Sequence, residues 1–444
     1  MFEKVLIANR GEIALRVMRS CRERGLRTVA VHSEIDAEAL HTRLADEAIC
    51  IGPNDPRRSY RHIPAIIAAA EITGADAIHP GYGFLSENPE FAETCEQCGL
   101  KFIGPKPEQM RQWGDKVTSR ALAKSLGLPI LEGTELATSV DDAVEKASAL
   151  GFPVVLKASG GGGGRGMHVL QTQEQLRSVF ETAKVEARTA FGNDGLYFEK
   201  FIERPRHIEF QILGDEHGNI HVLGERECSI QRRHQKIIEE APSIALTDEL
   251  RSDMVATIRR AMKETGYLSA GTLEFLMDEK GDLTFLEMNP RIQVEHPVTE
   301  LVMGIDLVAE QIRIAEGLPI ELPAPNLVPR GHAIECRINA EDPNTFAPSP
   351  GTITEFHMAG GTGVRVDSGV YGGGRVPPHY DSLVAKLIVH GPTRAHAIAK
   401  MQRALAETII GGIRTNIPLH RRILEHPAFE EGRISTRFLD ELSP

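Results

Sequence analysis

The sequence predicts an α/β protein of about three domains, with a parallel, helix-covered sheet at the N-terminus and a hairpin-rich middle. Three observations predict it. The first hundred or so residues alternate short apolar strands with amphipathic helices. Five consecutive glycines sit between two strand-like segments. Two apolar strands, 271–277 and 283–289, flank a turn containing Gly281.

Lys4–Ala8 is a short apolar strand, Glu12–Arg24 has helical spacing that Gly25 stops, and Thr28–His32 is the next strand. Ile63–Thr73 reads as helix, while Ala77–His79 and Lys101–Gly104 read as strands. Strand–helix–strand order implies a Rossmann-like parallel sheet with its ligand crevice at the carboxyl ends of the strands. Asn9-Arg10-Gly11-Glu12 is not GxGxxG and Gly81-Tyr82-Gly83 lacks the third glycine, which argues against a dinucleotide. The middle region continues with helices Lys116–Leu126 and Glu174–Ala190. Its strands are Pro153–Ala158, Met167–Leu170 and Leu196–Phe201, with a hairpin of Arg206–Leu213 and Ile220–Glu227. Pro-rich Leu318–Pro329 reads as a linker, and short strands with many turns follow, closed by the helix Arg394–Glu407.

Composition excludes several function classes. The 444 residues carry a formal charge of −12, against a general nucleic-acid binder or a polybasic membrane-surface protein. With 16 Phe, 6 Tyr and a single Trp, stacking platforms for single strands are disfavoured. Six cysteines are too few for a disulfide scaffold, and the lone pair Cys95/Cys98 fits an amphipathic helix ending at Gly99 better than a metal knuckle. The chain opens MFEKVLIANRGEIA, with no charged segment ahead of a long apolar one, and no apolar run approaches a membrane span. The expectation is a cytoplasmic protein without a leader.

Ser159-Gly160-Gly161-Gly162-Gly163-Gly164-Arg165-Gly166-Met167 lacks the Lys-Ser/Thr of a P-loop and is flanked by strands, so it reads as a hairpin tip. Such a tip brings backbone N–H groups onto phosphate oxygens because no Cβ blocks the approach, and it can fold down to exclude water. Lys157, on the apolar strand before it, suits a phosphate counter-charge. In the hairpin 271–289, pairing Asp278 with Leu283 puts Leu276 opposite Phe285 and Glu274 opposite Glu287, on a face read as otherwise apolar. Opposed carboxylates repel, and a hard cation such as Mg²⁺ or Mn²⁺ answers that, with Asn289 one step beyond on the same face. Extended alternation through Pro290–Pro297 would align Arg291, Gln293 and Glu295, a fork, an amide and a carboxylate. From this segment alone, Glu295 reads equally as a general base or as a plain ion-pair partner of Arg291. The cationic stretch 231–236 would place Gln231, Arg233 and Gln235 on one face and Arg232, His234 and Lys236 on the other. Arg337 stands in the half-apolar strand of Glu335–Pro343.

With IANRGEIA, HPGYGFLSEN, KASGGGGGRGM, ERECSIQRRHQKIIEEAP, GTLEFL, FLEMNPRIQVEHPVTE, GHAIECRINAEDP and PPHYDSLVAKL, essentially the whole chain resembles the biotin carboxylases, the ATP-grasp subunits or domains of biotin-dependent carboxylases. The resemblance implies an ATP-grasp enzyme with an N-terminal Rossmann-like domain (1–114), an ATP-grasp domain (115–327) with a mobile glycine-rich lid at about 130–203, and a C-terminal biotin carboxylase domain (328–444). It implies ATP with two Mg²⁺ or Mn²⁺ ions, and biotin as a carrier-bound substrate. It assigns Lys116, Lys157 and the loop Gly160–Gly166 to the phosphates, Glu199, Lys200 and Ile202 to the adenine with Leu276 below it, and His207, Gln231 and His234 to the ribose and phosphate side. It gives Glu274, Glu287 and Asn289 to the metals, Lys236, Arg291, Gln293, Val294 and Glu295 to bicarbonate, and Arg337 to the biotin ureido group. Ala261-Met262-Lys263-Glu264 lacks the second methionine of a biotinyl turn and lies in a helix-like run, so the resemblance implies a separate carrier protein and separate carboxyltransferase subunits, with a homodimer as the assembly. Other ATP-grasp ligases share lid and metals but not the Arg-Ile-Gln-Val-Glu pocket. A silent nucleotide-binding subunit would have lost a metal glutamate or a lysine, and none is lost.

Overall fold

The computed structural model describes residues 1–159, 166–322 and 327–442. Six expected phosphate-loop residues, Gly160, Gly161, Gly162, Gly163, Gly164 and Arg165, lie outside the described residues, as do 323–326 of the expected linker.

The N-terminal strands form a five-stranded, all-parallel sheet in the order Glu47–Gly52, Arg27–Ser33, Lys4–Ile7, Ala77–His79, Lys101–Phe102. Val5, Leu6 and Ile7 are all fully buried, because helices cover both faces of such a sheet. Helix Gly11–Glu23 ends as the sequence predicts. Gly25 takes φ +75°, a conformation glycine alone adopts freely, and Leu26 N–H closes back on the Cys21 carbonyl at 2.9 Å. The Cys95 helix runs Pro89–Gln97, and Cys95 and Cys98 are free thiols.

A small antiparallel sheet of Met167–Leu170, Val154–Ala158 and Leu196–Lys200 packs under helices Val140–Leu150 and Gln173–Phe191. It has its own core around Leu156, Phe180 and Phe198. Next to it stands an eight-stranded antiparallel sheet in the order Leu283–Asn289, Ser269–Met277, Arg206–Gly214, Ile220–Arg232, Gln235–Ala241, His332–Asn339, Leu383–Gly391, Val364–Ser368. This sheet carries straight through from the strands of the middle region into those that follow residue 331, because Gln235–Ala241 pairs with His332–Asn339. One of its faces is apolar over the first strands: Phe210, Phe275 and Phe285 pack with Trp113 and with Ile258 and Met262 of helix Asp248–Glu264. In that helix Met262 is buried and Lys263 exposed, so Ala261-Met262-Lys263 is not a presented turn. No described helix is long and apolar enough to cross a membrane.

His420 is fully buried in helix Ile417–Leu424, with Nε2 against the Arg337 carbonyl at 2.8 Å. Burial pushes its pKa down to about 4. The unfolded chain therefore takes a proton near pH 6.5 that the folded chain refuses, so the stability from neutral His420 is full above pH 6.5 and falls as pH drops toward 4. Compared with wild type, His420→Asn should lose that dependence. The urea-derived stability difference between the two should shift by about 1 kcal/mol between pH 7.5 and 5.5. A difference independent of pH would contradict the neutral, buried imidazole.

Candidate active site

The other face of the eight-stranded sheet is polar. His207, Glu209 and Gln211 alternate along Arg206–Gly214, and Thr272, Glu274 and Leu276 lie beside them on Ser269–Met277. This corrects the expectation of an apolar face around the paired carboxylates. The apolar residues Leu273, Phe275 and Met277 point the opposite way, into the core.

Glu274 does stand opposite Glu287, but by a different register. Next to the turn Met277 pairs with Leu283 and Leu276 with Thr284, one residue off the expected Leu276–Phe285 pair. A bulge at Leu286 then shifts the alignment and brings Glu287 across from Glu274. Glu287 remains about a third exposed, and among the described residues its one ion-pair partner is Lys116 Nζ, 3.6 Å away. Lys116 reaches it from the first turn of helix Lys116–Ser125, which Asp115 caps by accepting from Thr118 N–H at 2.8 Å. Glu274 is buried and crowded with donors: Lys236 Nζ at 2.9 Å, Asn289 Nδ2 at 2.9 Å and Gln293 Nε2 at 2.8 Å on one oxygen, His207 Nε2 at 3.1 Å from the other. Burial alone would raise its pKa, but Lys236 and His207 outweigh it and hold Glu274 well below the usual carboxylate range. Two carboxylates and an amide oxygen on adjacent strands are the hard donors that Mg²⁺ or Mn²⁺ takes, so this set fits the metal.

Segment 231–236 is not one strand. Arg233 and His234 both have positive φ, +47° and +66°, and make a two-residue hairpin turn between Arg232 and Gln235. The expected two faces are thereby corrected: Gln231 and Lys236 are direct cross-strand partners and share a face. Gln231 is buried, donating to His207 Nδ1 at 2.7 Å, while His234 is exposed at the tip. Lys236 reaches three carboxylates, Glu209 at 2.5 Å, Glu295 at 2.6 Å and Glu274 at 2.9 Å. Burial works against its ammonium, yet these charges hold its pKa well above lysine's ordinary value.

Residues 290–295 are irregular rather than extended, ending where Glu295 precedes helix His296–Met303. The simple alternation of Arg291, Gln293 and Glu295 therefore fails, yet all three meet the same network. Arg291 donates to Gln293 Oε1 at 2.7 Å and Asn289 Oδ1 at 3.0 Å, and pairs with Glu87 at 3.2 Å rather than with Glu295. Glu295, with no exposed surface, lies between Lys236 and Arg337, whose guanidinium is 2.8 Å away. Burial would raise its pKa, but Lys236, Arg337 and Arg226 together drive it well below the ordinary value. Arg337 also holds Glu239 at 2.5 Å, a carboxyl that burial pushes up to about 7 despite that guanidinium.

Toward the small sheet, Lys157 Nζ and Arg120 both bind the Glu199 carboxylate. Arg120 can cross there because the segment bridging to Glu199 offers Gly133, where a Cβ would lie 2.5 Å from the guanidinium and 2.8 Å from the Phe198 carbonyl. Lys200 Nζ caps helix Val140–Leu150, donating to the Gly151 carbonyl at 2.6 Å. Ile202 and Leu276 are half-buried, and Gly166 has φ +71° at the end of its loop. Sequence reasoning missed Glu209, Arg226, Glu239 and Arg120. The polar alternation of His207, Glu209 and Gln211 was a usable signal for the first. The fully buried Arg226, bonded to Glu209, Gln211 at 2.8 Å and Thr299 at 2.9 Å, had none, because its partners come from other elements.

Beyond this geometry, nearly the whole chain has counterparts among known proteins. Residues 1–110 match "Biotin carboxylase, N-terminal domain", 115–322 match "Carbamoyl-phosphate synthase L chain, ATP binding domain", and 335–441 match "Biotin carboxylase C-terminal domain". The chain belongs to the biotin carboxylase family. Among biotin carboxylases, that of Haemophilus influenzae is 56% identical over 99% of both chains. The Campylobacter jejuni biotin carboxylase, solved with β-γ-ATP, superposes with a TM-score of 0.95 at 46% identity over 100% of this chain and 99% of that one. The biotin carboxylase domain of Hydrogenobacter thermophilus 2-oxoglutarate carboxylase, a dimer with MgADP, ADP and bicarbonate, gives 0.93 at 48% identity over 99% and 98%.

Proposed function

We propose that the chain carboxylates carrier-bound biotin with bicarbonate at the expense of ATP, through carboxyphosphate, releasing ADP and phosphate. This is the first half-reaction of acetyl-CoA carboxylase or of a related acyl-CoA or pyruvate carboxylase. The observation that carries the reading is Glu295, fully buried between Lys236 and Arg337 and linked through Lys236 to Glu274.

Bicarbonate is a poor nucleophile, and Glu295 takes its proton as it attacks the γ-phosphate. While both cations grip Glu295 it is too weak a base. Once Lys236 and Arg291 turn to bicarbonate and Arg337 to the ureido oxygen, its pKa rises, so the base becomes active only with the substrates in place. Glu274, Glu287 and Asn289 would hold two Mg²⁺ or Mn²⁺ ions, which supply charge neutralisation on the transferring phosphoryl group. Lys116, Lys157 and the loop from Gly162 through Gly166, including Gly163, Gly164 and Arg165, bind the phosphates, and that loop keeps water from carboxyphosphate. Glu199, Lys200, Ile202 and Leu276 surround the adenine, with His207, Gln231 and His234 on the ribose and phosphate side. Gln293 and the Val294 backbone complete the bicarbonate pocket. Carboxyphosphate yields CO₂ and phosphate, and that phosphate removes the biotin N1 proton. Arg337 stabilises the ureido anion, which captures CO₂.

The working division follows the expected segments 1–114, 115–327 with its lid at about 130–203, and 328–444. The enzyme works as a cytoplasmic homodimer with a biotin carboxyl carrier protein and carboxyltransferase subunits. The testing experiment is ADP release with ATP and Mg²⁺. It should require bicarbonate and rise with free biotin or with a biotinylated carrier. Absence of biotin stimulation with every carrier would undo the assignment.

A further inference from the structure

Lys386, in strand Leu383–Gly391, has no exposed surface and takes no part in the chemistry above. Cross-strand pairing sets it directly between Arg337 on one neighbouring strand and Asp367 on the other. Its ammonium donates to the Val294 carbonyl at 2.8 Å. Glu12 Oε2, at the start of helix Gly11–Glu23, lies 3.2 Å away, and Asp367 3.9 Å. Glu12 in turn accepts from the Tyr82 hydroxyl, and Asp367 has Arg365 at 2.7 Å.

Burying an ammonium is costly, and a lysine that served only to neutralise Glu12 and Asp367 would not need to aim at a backbone carbonyl. Residues 290–295 belong to no strand or helix, so nothing regular fixes their peptide planes. The held carbonyl belongs to the peptide that joins Val294 to Glu295. Fixing it sets the direction in which Glu295 leaves the backbone toward Lys236 and Arg337, and the tilt of the preceding Gln293–Val294 peptide.

We propose that Lys386 is a positioning residue for the bicarbonate pocket, holding the Val294–Glu295 peptide in the orientation that presents the base and the Val294 N–H to the anion. This rests on the reading of Arg291–Glu295 as that pocket. It makes the C-terminal strand a working part of the site, anchored in the N-terminal helix through Glu12.

The test compares the full wild-type chain with Lys386→Met and with Lys386→Met/Glu12→Gln, following ADP release as bicarbonate and ATP are varied with free biotin present. Thermal unfolding is recorded alongside. In both variants the KM for bicarbonate should rise about tenfold, the scale of one lost hydrogen bond to a charged donor, while the KM for ATP changes less than about twofold. The double variant removes the Glu12 charge and leaves Asp367 with Arg365, so it should regain thermal stability and decides the matter if the single variant does not fold. A wild-type chain without bicarbonate-dependent ADP release would overturn the reading of the pocket itself. An active wild type, with a bicarbonate KM that is unchanged, or that rises only in step with the ATP KM, or that returns to normal in the double variant, would overturn the positioning role.

Discussion

Glu295→Gln should cut bicarbonate-dependent ADP release by about 10² to 10⁴, the range a positioned general base contributes, while nucleotide affinity stays near wild type. The amide keeps the shape of the side chain, but its single oxygen replaces only one of the two carboxylate oxygens that accept from Lys236 at 2.6 Å and from Arg337 at 2.8 Å. What it cannot do is take the bicarbonate proton. The nucleotide-side residues Lys157 and Glu199 pair with each other, while Glu295 pairs with Lys236 and Arg337, so the loss is expected on the anion side. Initial rates at saturating ATP with bicarbonate varied, set beside an ATP titration by calorimetry, separate the two. Turnover within about threefold of wild type would remove Glu295 from the role of base, since that is far less than any general base supplies.

The pair Glu274–Glu287 was legible from sequence because local turn and pattern point to it, yet its register was reached through a detail the pattern does not carry. The one-residue offset beside the turn and the bulge at Leu286 cancel, so the carboxylates meet while Leu276 and Phe285 do not. The turn at Arg233-His234 was illegible for a related reason: it uses positive φ without the Asn-Gly or Gly residues that usually announce it. Four strands of the parallel N-terminal sheet were readable because each is a short apolar run, but the edge strand Glu47–Gly52, mostly exposed or half-buried, was missed. The long-range parts were not. Arg226, Lys386 and Glu239 look like ordinary strand charges until the sheet sets them on the face beneath helix His296–Met303. Their partners Thr299 and Val294 are 73 and 92 residues away in the chain from Arg226 and Lys386.

Lys236→Met should both abolish turnover and lower stability by about 3–5 kcal/mol, the scale seen when one member of a buried charge network is removed. Lys236 is the common cation of Glu209, Glu274 and Glu295, all buried. Each has a second donor: Arg226 for Glu209, His207 for Glu274, Arg337 for Glu295. No carboxylate is left bare, but one negative charge goes uncompensated among buried groups. Neutralising one of the three should therefore recover part of the loss. Lys236→Met/Glu295→Gln is expected to unfold in urea at a midpoint between wild type and the single variant, with activity still absent. The two readouts separate the roles of the lysine, because stability depends on the count of charges in the cluster while turnover depends on the ammonium itself. If the double variant were no more stable than the single one, the cost would lie in lost packing of the side chain, and Lys236 would not be the charge that holds the three carboxylates together.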